Sequence, residues 1–283
     1  MGRRESVKLD IWYPPLPMTR DRRDPAAPPL PYEAELAAGL PRAKEGVKRL
    51  ISWSSLPLGS VIRVDTGEPA IALTFDDGPH PVETPRVLEL LERHGARGTF
   101  FMVGKSARRH PEIVARAAAA GHAVANHSWD HPSFRRIRGS YRRAQIRWCG
   151  EALAPHGGAR LFRPPFGEQS PASRLDALRC GYPVIGWDVV AEDWRDDPAD
   201  LLVRRVMRRL RRGSIVLFHD TLYVADAERY RDRAHMQEAL EILLERLAGS
   251  FRFVTVPELL RLGRPVRWPV FHRLPLDFHR KLV

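Results

Sequence analysis

The sequence is poor in cysteine and has no long apolar run, and each shortage limits what the chain can be. Only two cysteines, Cys149 and Cys180, occur in 283 residues. We expect two buried free thiols, with a single disulfide as the alternative. No apolar run is long enough to cross a bilayer, and residues 1–30 lack the continuous apolar core of a signal peptide. We therefore expect no transmembrane segment and no export signal, so the cytoplasm is the location expected from sequence.

Lysine is also scarce, and arginine supplies nearly all of the positive charge. The net charge is +12 and the isoelectric point is near 10.4, which favours anionic partners such as cell-envelope polymers, membrane surfaces or nucleic acid. A nucleic-acid partner is not expected, because no basic motif with interleaved aromatic residues occurs. The apolar fraction of 43% is that of a soluble globular protein.

Three segments of the chain differ in composition. Residues 1–66 form a proline-rich N-terminal extension, interpreted as a linker or surface strap, with a docking peptide as the alternative. Within it, a helix is predicted over 33–51 and a strand over 61–64. Residues 67–262 have regular strand and helix patterns and form the main domain. Residues 263–283 form a C-terminal tail that straps along the domain or docks to a partner.

The main domain alternates strands with helices. Apolar runs predict strands at 71–75, 98–103, 122–126, 161–163, 182–187, 214–218 and 251–256. Helices are predicted at 84–94, 111–121, 140–153, from 170 onward, 198–212, 234–247 and 257–261. Seven such units call for a parallel sheet covered by helices. The predicted fold is therefore α/β, either a (β/α) barrel with fewer than eight units or an open doubly wound sheet.

Two of these helices have further signals. Thr84 precedes Pro85 and is the expected N-cap of the first helix. The helix over 198–212 has an apolar face and an arginine face. We interpret these arginines as a solvated face, with polyanion binding as the alternative.

Asp76 and Asp77 end the first core strand, and Gly78 and Pro79 then break the chain into a loop. Adjacent carboxylates repel each other unless a cation lies nearby. A divalent metal commonly binds one carboxylate and leaves the other free as a base. A turn with two solvated aspartates is the alternative, since Asp and Gly favour turns.

Polar residues also follow the later strands, at the end where parallel barrels form their active sites. They are His127 and His131 after the third strand, Arg163 at the end of the fourth, Asp193 and Trp194 in the loop after the fifth, and His219 and Asp220 at the end of the sixth. Their shared position predicts one site built from several strand ends.

His127 and His131 are four residues apart, a spacing that lets two histidines grip one metal. Together with Asp77 they form a His, His, carboxylate set, which is common in zinc sites that leave room for a water molecule. Surface histidines are the alternative. A metal held in this way lowers the pKa of its water, and Asp76 is then placed to accept the water's proton.

His219 and Arg163 complete the predicted chemistry. His219 would lie across the site and protonate the leaving group. Arg163 would orient Asp76 by a charge-assisted hydrogen bond. The alternatives are a core histidine at a strand end and a structural ion pair.

Five ordered stretches resemble the five motifs of the polysaccharide deacetylases, carbohydrate esterase family four, over roughly residues 67–262. They are Thr74-Phe75-Asp76-Asp77-Gly78-Pro79, His127-Ser128-Trp129-Asp130-His131, Arg163-Pro164-Pro165-Phe166-Gly167, Asp193-Trp194 and Leu217-Phe218-His219. The resemblance implies a distorted (β/α) barrel of about seven strands. It also implies a metal-dependent enzyme that removes acetyl groups from N-acetylated sugars, with zinc as the expected ion and cobalt or another divalent ion as alternatives.

The same resemblance implies a role for each site residue. Asp76 is the base, which Arg163 orients, and His219 is the acid, which Asp193 supports. The metal ligands are Asp77, His127 and His131. The Phe166 N–H stabilises the oxyanion, and Trp194 and Leu217 form walls of the acetyl pocket.

Two positions depart from the family pattern. The fourth motif often has a further Asp three residues before Asp193, and Val190 stands there. The network around His219 is therefore expected to differ. Phe166 replaces a frequent Tyr, which removes a hydroxyl but keeps the backbone donor.

The expected substrate is a GlcNAc-containing glycan such as peptidoglycan or chitin oligomers. An O-acetyl esterase acting on acetylated polysaccharide is the alternative within the same fold, and a silent glycan-binding protein is the alternative from another class. The family mostly acts at or beyond the cell surface, in contrast to the absent export signal. The sequence leaves the oligomeric state open.

Overall fold

The computed structural model describes residues 59–224 and 231–268. They lie in the second of the two compact units into which the chain divides, Pro57–Val283. The predicted helix over 33–51 lies outside the described residues.

Seven parallel strands form the central sheet. In chain order, the strands of the described residues are β1 (Ser60–Asp65), β2 (Ala70–Asp76), β3 (Gly98–Met102), β4 (Ala123–Asn126), β5 (Ala159–Phe162), β6 (Val189–Val190), β7 (Ile215–His219), β8 (Arg252–Phe253) and β9 (Arg264–Trp268). The sheet order is β5-β4-β3-β2-β7-β6, and β8 pairs with β2. The fold is α/β, a distorted (β/α) barrel, as predicted.

Helices connect these strands. They are α1 (Glu83–Arg93), α2 (Gly104–Arg109), α3 (Pro111–Ala119), α4 (Gly139–Leu153), α5 (Pro171–Arg179), α6 (Ala199–Met207), α7 (Ala234–Leu247) and α8 (Val256–Leu259). Leucines and other apolar residues on one side of α1 and α7 join the core, as expected for amphipathic helices on a sheet. The short helix α2 was not predicted.

Two local predictions are wrong. The strand over 182–187 does not form, because Val184 and Ile185 make single bridges to different neighbours, Phe162 and Val61. The regular strand after α5 is β6. Thr84 is not an N-cap, since that position is held by Val82 without a side-chain cap.

Strand alternation separates the core from the site. Phe75 of β2 stacks on its partners in the neighbouring strands, with ring centroids 4.9 Å from Phe100 and 6.0 Å from Phe218. Because successive side chains point to opposite faces, Thr74 and Asp76 turn to the other side of the sheet. A cluster of aromatic rings thus fixes the strand that carries the first motif.

Strands β1 and β9 form a separate antiparallel pair, with Ser60 opposite Trp268. The Val61 N–H donates to the Val184 carbonyl at 2.9 Å, and the Gly186 N–H donates to the Val61 carbonyl at 2.7 Å. The first and last described strands are therefore fastened to each other and to the segment before β6.

Cys149 and Cys180 are free thiols, as predicted, but only Cys149 is buried, since Cys180 is partly exposed. In α6, Arg204 and Arg205 pair with Asp200 and Asp197, and Arg211, which follows this helix, pairs with Asp188. Among the described residues, no helix combines the length and the apolar character needed to cross a membrane.

Candidate active site

Asp77, His127 and His131 converge at the carboxyl ends of β2 and β4. Asp77 Oδ1 lies 3.2 Å from His127 Nε2 and 3.1 Å from His131 Nε2. All three side chains are buried. Among residues 59–224 and 231–268, they are the group of three whose donor atoms could hold a metal ion.

The three donors fit a metal ion. His127 Nδ1 lies 2.8 Å from the Arg163 carbonyl, so Nδ1–H donates there and Nε2 keeps its lone pair for a metal. Ligands roughly 2.0–2.1 Å from a tetrahedral ion lie about 3.3 Å from each other, close to the observed separations. The residue types are those of zinc sites with three protein ligands.

Asp77 and His131 both have shifted pKa values. Burial alone would raise the pKa of Asp77, but the charge of protonated His131 and the hydrogen bonds from His131 and His127 hold it well below its usual range. Burial lowers the pKa of His131. A charged carboxylate and a neutral imidazole are the states that bind metal.

A network from α4 holds the histidine loop. Gln145 is fully buried and accepts hydrogen bonds from the backbone N–H groups of Trp129 at 2.9 Å and Asp130 at 3.1 Å. Its amide donates to Asp130 Oδ1 at 2.7 Å. His131 has a φ of 60°, a costly conformation that these contacts help to maintain. Gln145 was not predicted from the sequence, although a glutamine on a buried helix face was a usable signal.

Asp76 is held by a different partner. Arg163 is fully buried, and its Nη1 donates to Asp76 Oδ1 at 2.7 Å and to Thr74 Oγ1 at 2.8 Å. Its other nitrogens donate to the carbonyls of Ile185 and Gly186. Asp76 Oδ2 is 3.9 Å from His127 Nε2, so this carboxylate lies beside the three donors without joining them.

His219 ends β7, the strand next to β2, and lies in register with Asp76. Its Nδ1 lies 3.1 Å from Asp193 Oδ1. Burial opposes protonation, but the Asp193 carboxylate outweighs it and raises the pKa of His219 to about 9. The imidazole is therefore protonated at neutral pH and can act as an acid.

Arg233 supports Asp193 from the residue before α7. It is fully buried and donates from Nη2 to Asp193 Oδ2 and to the His219 carbonyl. Arg233 was not predicted from the sequence. Val190, where the family often has an Asp, is buried in β6 opposite Leu217 of β7.

Aromatic and apolar residues border the donors. Phe166 has a φ of 58° and packs its ring 4.5 Å from that of His131. Trp194 meets His219 edge-on, with centroids 5.5 Å apart, and Leu217 is buried in β7. Tyr223 was not predicted, and no pattern marked it. Its N–H donates to Asp77 Oδ2 at 2.9 Å, and its ring centroid is 5.6 Å from that of His131.

Asp220 fixes the loop that follows Asp77. Its carboxylate accepts the Gly78 N–H at 3.2 Å and the Thr84 hydroxyl. A side chain at residue 78 would meet the Asp220 carboxylate at 2.2 Å, so any larger residue would have to displace Asp220 from these hydrogen bonds. Burial raises the pKa of Asp220 to about 7.

The structure thus brings the ten predicted site residues to the same end of the barrel. They are Asp76, Asp77, His127, His131, Arg163, Phe166, Asp193, Trp194, Leu217 and His219. A parallel barrel with two differently held carboxylates and an acidic histidine at its carboxyl end has the architecture of a hydrolase.

The comparisons give the family. The family model described as polysaccharide deacetylase matches residues 63–185. A chitooligosaccharide deacetylase of Azorhizobium caulinodans is 35% identical over 166 residues, which cover 58% of this chain and 79% of that protein. A peptidoglycan-N-acetylglucosamine deacetylase of Bacillus cereus is 32% identical over 200 residues, with 69% of each chain covered. The chain belongs to the polysaccharide deacetylase family and is a deacetylase of the hydrolase class.

A solved structure agrees with this assignment. The crystal structure of a peptidoglycan N-acetylglucosamine deacetylase in complex with 4-naphthalen-1-yl-N-oxidanyl-benzamide is 29% identical. It superposes with a TM-score of 0.65, covering 72% of this chain and 94% of that one.

Proposed function

We propose that this protein removes N-acetyl groups from GlcNAc-containing glycans, such as peptidoglycan or chitin oligomers. The observation that carries the proposal is the different partner of each adjacent carboxylate. Asp77 faces two histidines, while Asp76 is held by Arg163. The relatives named above, which are N-deacetylases of such glycans, support the choice of substrate.

The metal site would consist of Asp77, His127 and His131. A divalent ion held there, with zinc the one expected from this donor set, would supply Lewis-acid chemistry by lowering the pKa of a water molecule and polarising the acetyl carbonyl. The shell around the donors keeps the ligands in place. The Arg163 carbonyl fixes the tautomer of His127, and the Tyr223 N–H holds the second oxygen of Asp77.

Proton transfer would use the two remaining groups. Asp76, oriented by Arg163, accepts the proton of the attacking water. His219, protonated at neutral pH, donates a proton to the departing amine nitrogen. The carbon–nitrogen bond then breaks and leaves acetate and a free amino group.

The pocket residues would select the acetyl group. The Phe166 N–H is assigned to the developing oxyanion, and Trp194 and Leu217 to the walls around the methyl group. We propose residues 67–262 as the catalytic domain. The paired strands β1 and β9 directly precede and follow this range in the sequence. Because the relatives include peptidoglycan deacetylases, we propose the cell envelope as the place of action.

Acetate release tests this function. GlcNAc oligomers, peptidoglycan and acetylxylan are each incubated with the zinc-loaded protein, with a chelator and with Asp76→Asn. We expect release from an N-acetylated substrate that both controls abolish. Release from acetylxylan alone would instead show an O-acetyl esterase. Zinc binding without any release would favour a glycan-binding protein.

A further inference from the structure

Arg233 connects the loop after β6, which carries Asp193, to the end of β7, which carries His219. Its Nη1 donates to the Asp193 carbonyl at 2.9 Å, and its Nη2 donates to Asp193 Oδ2 at 2.5 Å and to the His219 carbonyl at 3.1 Å. The side chains of Arg233 and Asp193 are both fully buried. One guanidinium thus binds both the residue that partners the acid and the backbone of the acid itself.

The two oxygens of the Asp193 carboxylate have different hydrogen-bond partners. Oδ2 accepts from Arg233 and from the His219 backbone N–H at 2.8 Å. Oδ1 accepts from His219 Nδ1 at 3.1 Å. With Oδ2 held by two donors, the carboxylate cannot rotate away from the imidazole, and the ring keeps Nδ1 on Asp193 and Nε2 on the opposite side.

The charges around this pair are few. His219 faces Asp193 and, across the site, Asp76 and Asp77. Asp193 faces His219 and Arg233, and His235 lies at its carbonyl, 3.0 Å away. Val190 adds no charge.

Helix α7 fixes the origin of the Arg233 side chain. Arg233 is the N-cap residue of α7, whose apolar side, including Met236 and Leu240, is buried in the core. The guanidinium therefore reaches the acid from an element that packing holds in place. Such support gives the precision that an outer residue needs to orient a catalytic one.

We propose that Arg233 is a positioning residue for the general acid, holding Asp193 so that His219 keeps a single tautomer and orientation toward the leaving group. This inference rests on the proposed function, because it takes His219 as the acid. Arg233 itself does not reach the reacting atoms.

Two effects of Arg233 on His219 have opposite signs. If Arg233 positions Asp193, its loss weakens the carboxylate–imidazolium contact, and the pKa of His219 falls. If Arg233 acts only by repelling the imidazolium, its loss lets the pKa of His219 rise. The direction of the shift therefore separates positioning from simple charge repulsion.

The test uses the zinc-loaded protein and Arg233→Met. The His219 pKa and tautomer are read from long-range proton–nitrogen NMR spectra, relative to wild type in the same state. We expect the pKa to fall by about one unit or more. We expect kcat for a GlcNAc oligomer to fall about ten- to hundredfold, with KM and the zinc Kd changed less than about threefold. Arg233→Lys should lie between the two, because an ammonium keeps the charge but not the planar fork.

Arg142→Met is the matched control. Arg142 also pairs with a buried carboxylate, that of Asp176, and donates to the Phe134 and Ile137 carbonyls. It does not touch the acid, so its loss should leave the His219 titration unchanged.

An unchanged or raised His219 pKa in folded Arg233→Met would overturn the inference. A zinc Kd weakened in step with kcat would do the same, since it would show a merely structural role. If Arg233→Met does not fold, a double-mutant cycle of Arg233→Lys with Asp193→Asn replaces it. Positioning through Asp193 predicts non-additive losses in kcat, and additive losses would contradict it.

Failure of the proposed function has a different signature. If wild type releases no acetate from any N-acetylated substrate, that function fails, while the NMR titration still tests Arg233. If wild type is active and the His219 titration does not respond to Arg233→Met, only this inference fails.

Discussion

Arg163 Nη1 lies 2.7 Å from Asp76 Oδ1, and neither side chain is more than 5% exposed. The guanidinium also lies 4.1 Å from the centre of the Phe101 ring. A charge buried in this way is tolerated only when it is paired and hydrogen-bonded. Burial lowers the pKa of Arg163, although Asp76 counteracts this effect. The residue that holds Asp76 in place therefore also contributes to the stability of the barrel.

Arg163→Met should destabilise the protein strongly. It leaves the Asp76 carboxylate buried without its partner, which typically costs about 3–5 kcal/mol. Urea denaturation of the metal-free protein measures this loss. Adding Asp76→Asn to the same chain should recover part of it, because the stranded charge is removed. The exposed pair Arg204–Asp200 supplies the control, since Arg204→Met should cost about 0.5 kcal/mol or less. Equal losses at residues 163 and 204 would refute this prediction.

Asp76→Asn should bind zinc as wild type does but turn over about 10²- to 10⁴-fold more slowly, the usual contribution of a general base. The amide keeps the shape of the side chain but cannot take a proton from water. Calorimetric zinc titration and initial rates of acetate release are measured on the same preparation. Near-wild-type rates would show that another group is the base.

Asp77→Ala and His131→Ala should each lose stoichiometric zinc, because each removes one of three donors. Elemental analysis after dialysis measures the zinc content. His122→Ala is the control. His122 is another buried histidine, but it accepts a 3.0 Å hydrogen bond from the Gly98 N–H and is not one of the three donors. Full zinc content in the two ligand variants would disprove the assignment, as would a loss of zinc from His122→Ala alone.

Asp220 should make the metal-free protein less stable as pH rises. Burial raises its folded-state pKa to about 7, above the usual value of about 3.9, so the folded state holds this proton more tightly than the unfolded state. The resulting stability is complete below about pH 4 and is lost as pH rises through 7.

Asp220→Asn isolates this effect, because its amide oxygen can still accept the Gly78 N–H but cannot ionise. The free energy of unfolding is measured for both proteins at pH 4, 5.5 and 7. Between pH 4 and pH 7, the value for wild type should fall relative to that of the variant by an amount on the order of a few kcal/mol. Parallel pH profiles for the two proteins would rule out a raised pKa at Asp220.

The sequence predicted the barrel and the residues at its strand ends because both depend on local signals. The apolar run before Asp76 and the four-residue spacing of His127 and His131 are visible without knowing what surrounds them. Arg233 and Tyr223 could not be found in this way. Their roles arise only when α7 and the loop after β7 pack against the site, and many other arginines in the chain look alike.

The wrong strand at 182–187 has a similar cause. Its apolar residues fit a strand by composition, but Val184 and Ile185 bridge to β5 and β1 instead of forming one ladder. The regular pairing with β7 begins later, at Val189. Periodicity identifies a buried extended segment and cannot decide which neighbour receives its hydrogen bonds.

The pairing of β1 with β9 sets an order of events during synthesis. Ser60 and Trp268 are partners. The β1–β9 ladder therefore cannot form until the chain up to β9 has been synthesised and has left the ribosome. Closing so large a loop is entropically costly and slow. We therefore expect β1 to be among the last strands to pair. The nascent chain can form the ladders of β2, β3 and β4 before β1 and β9 pair.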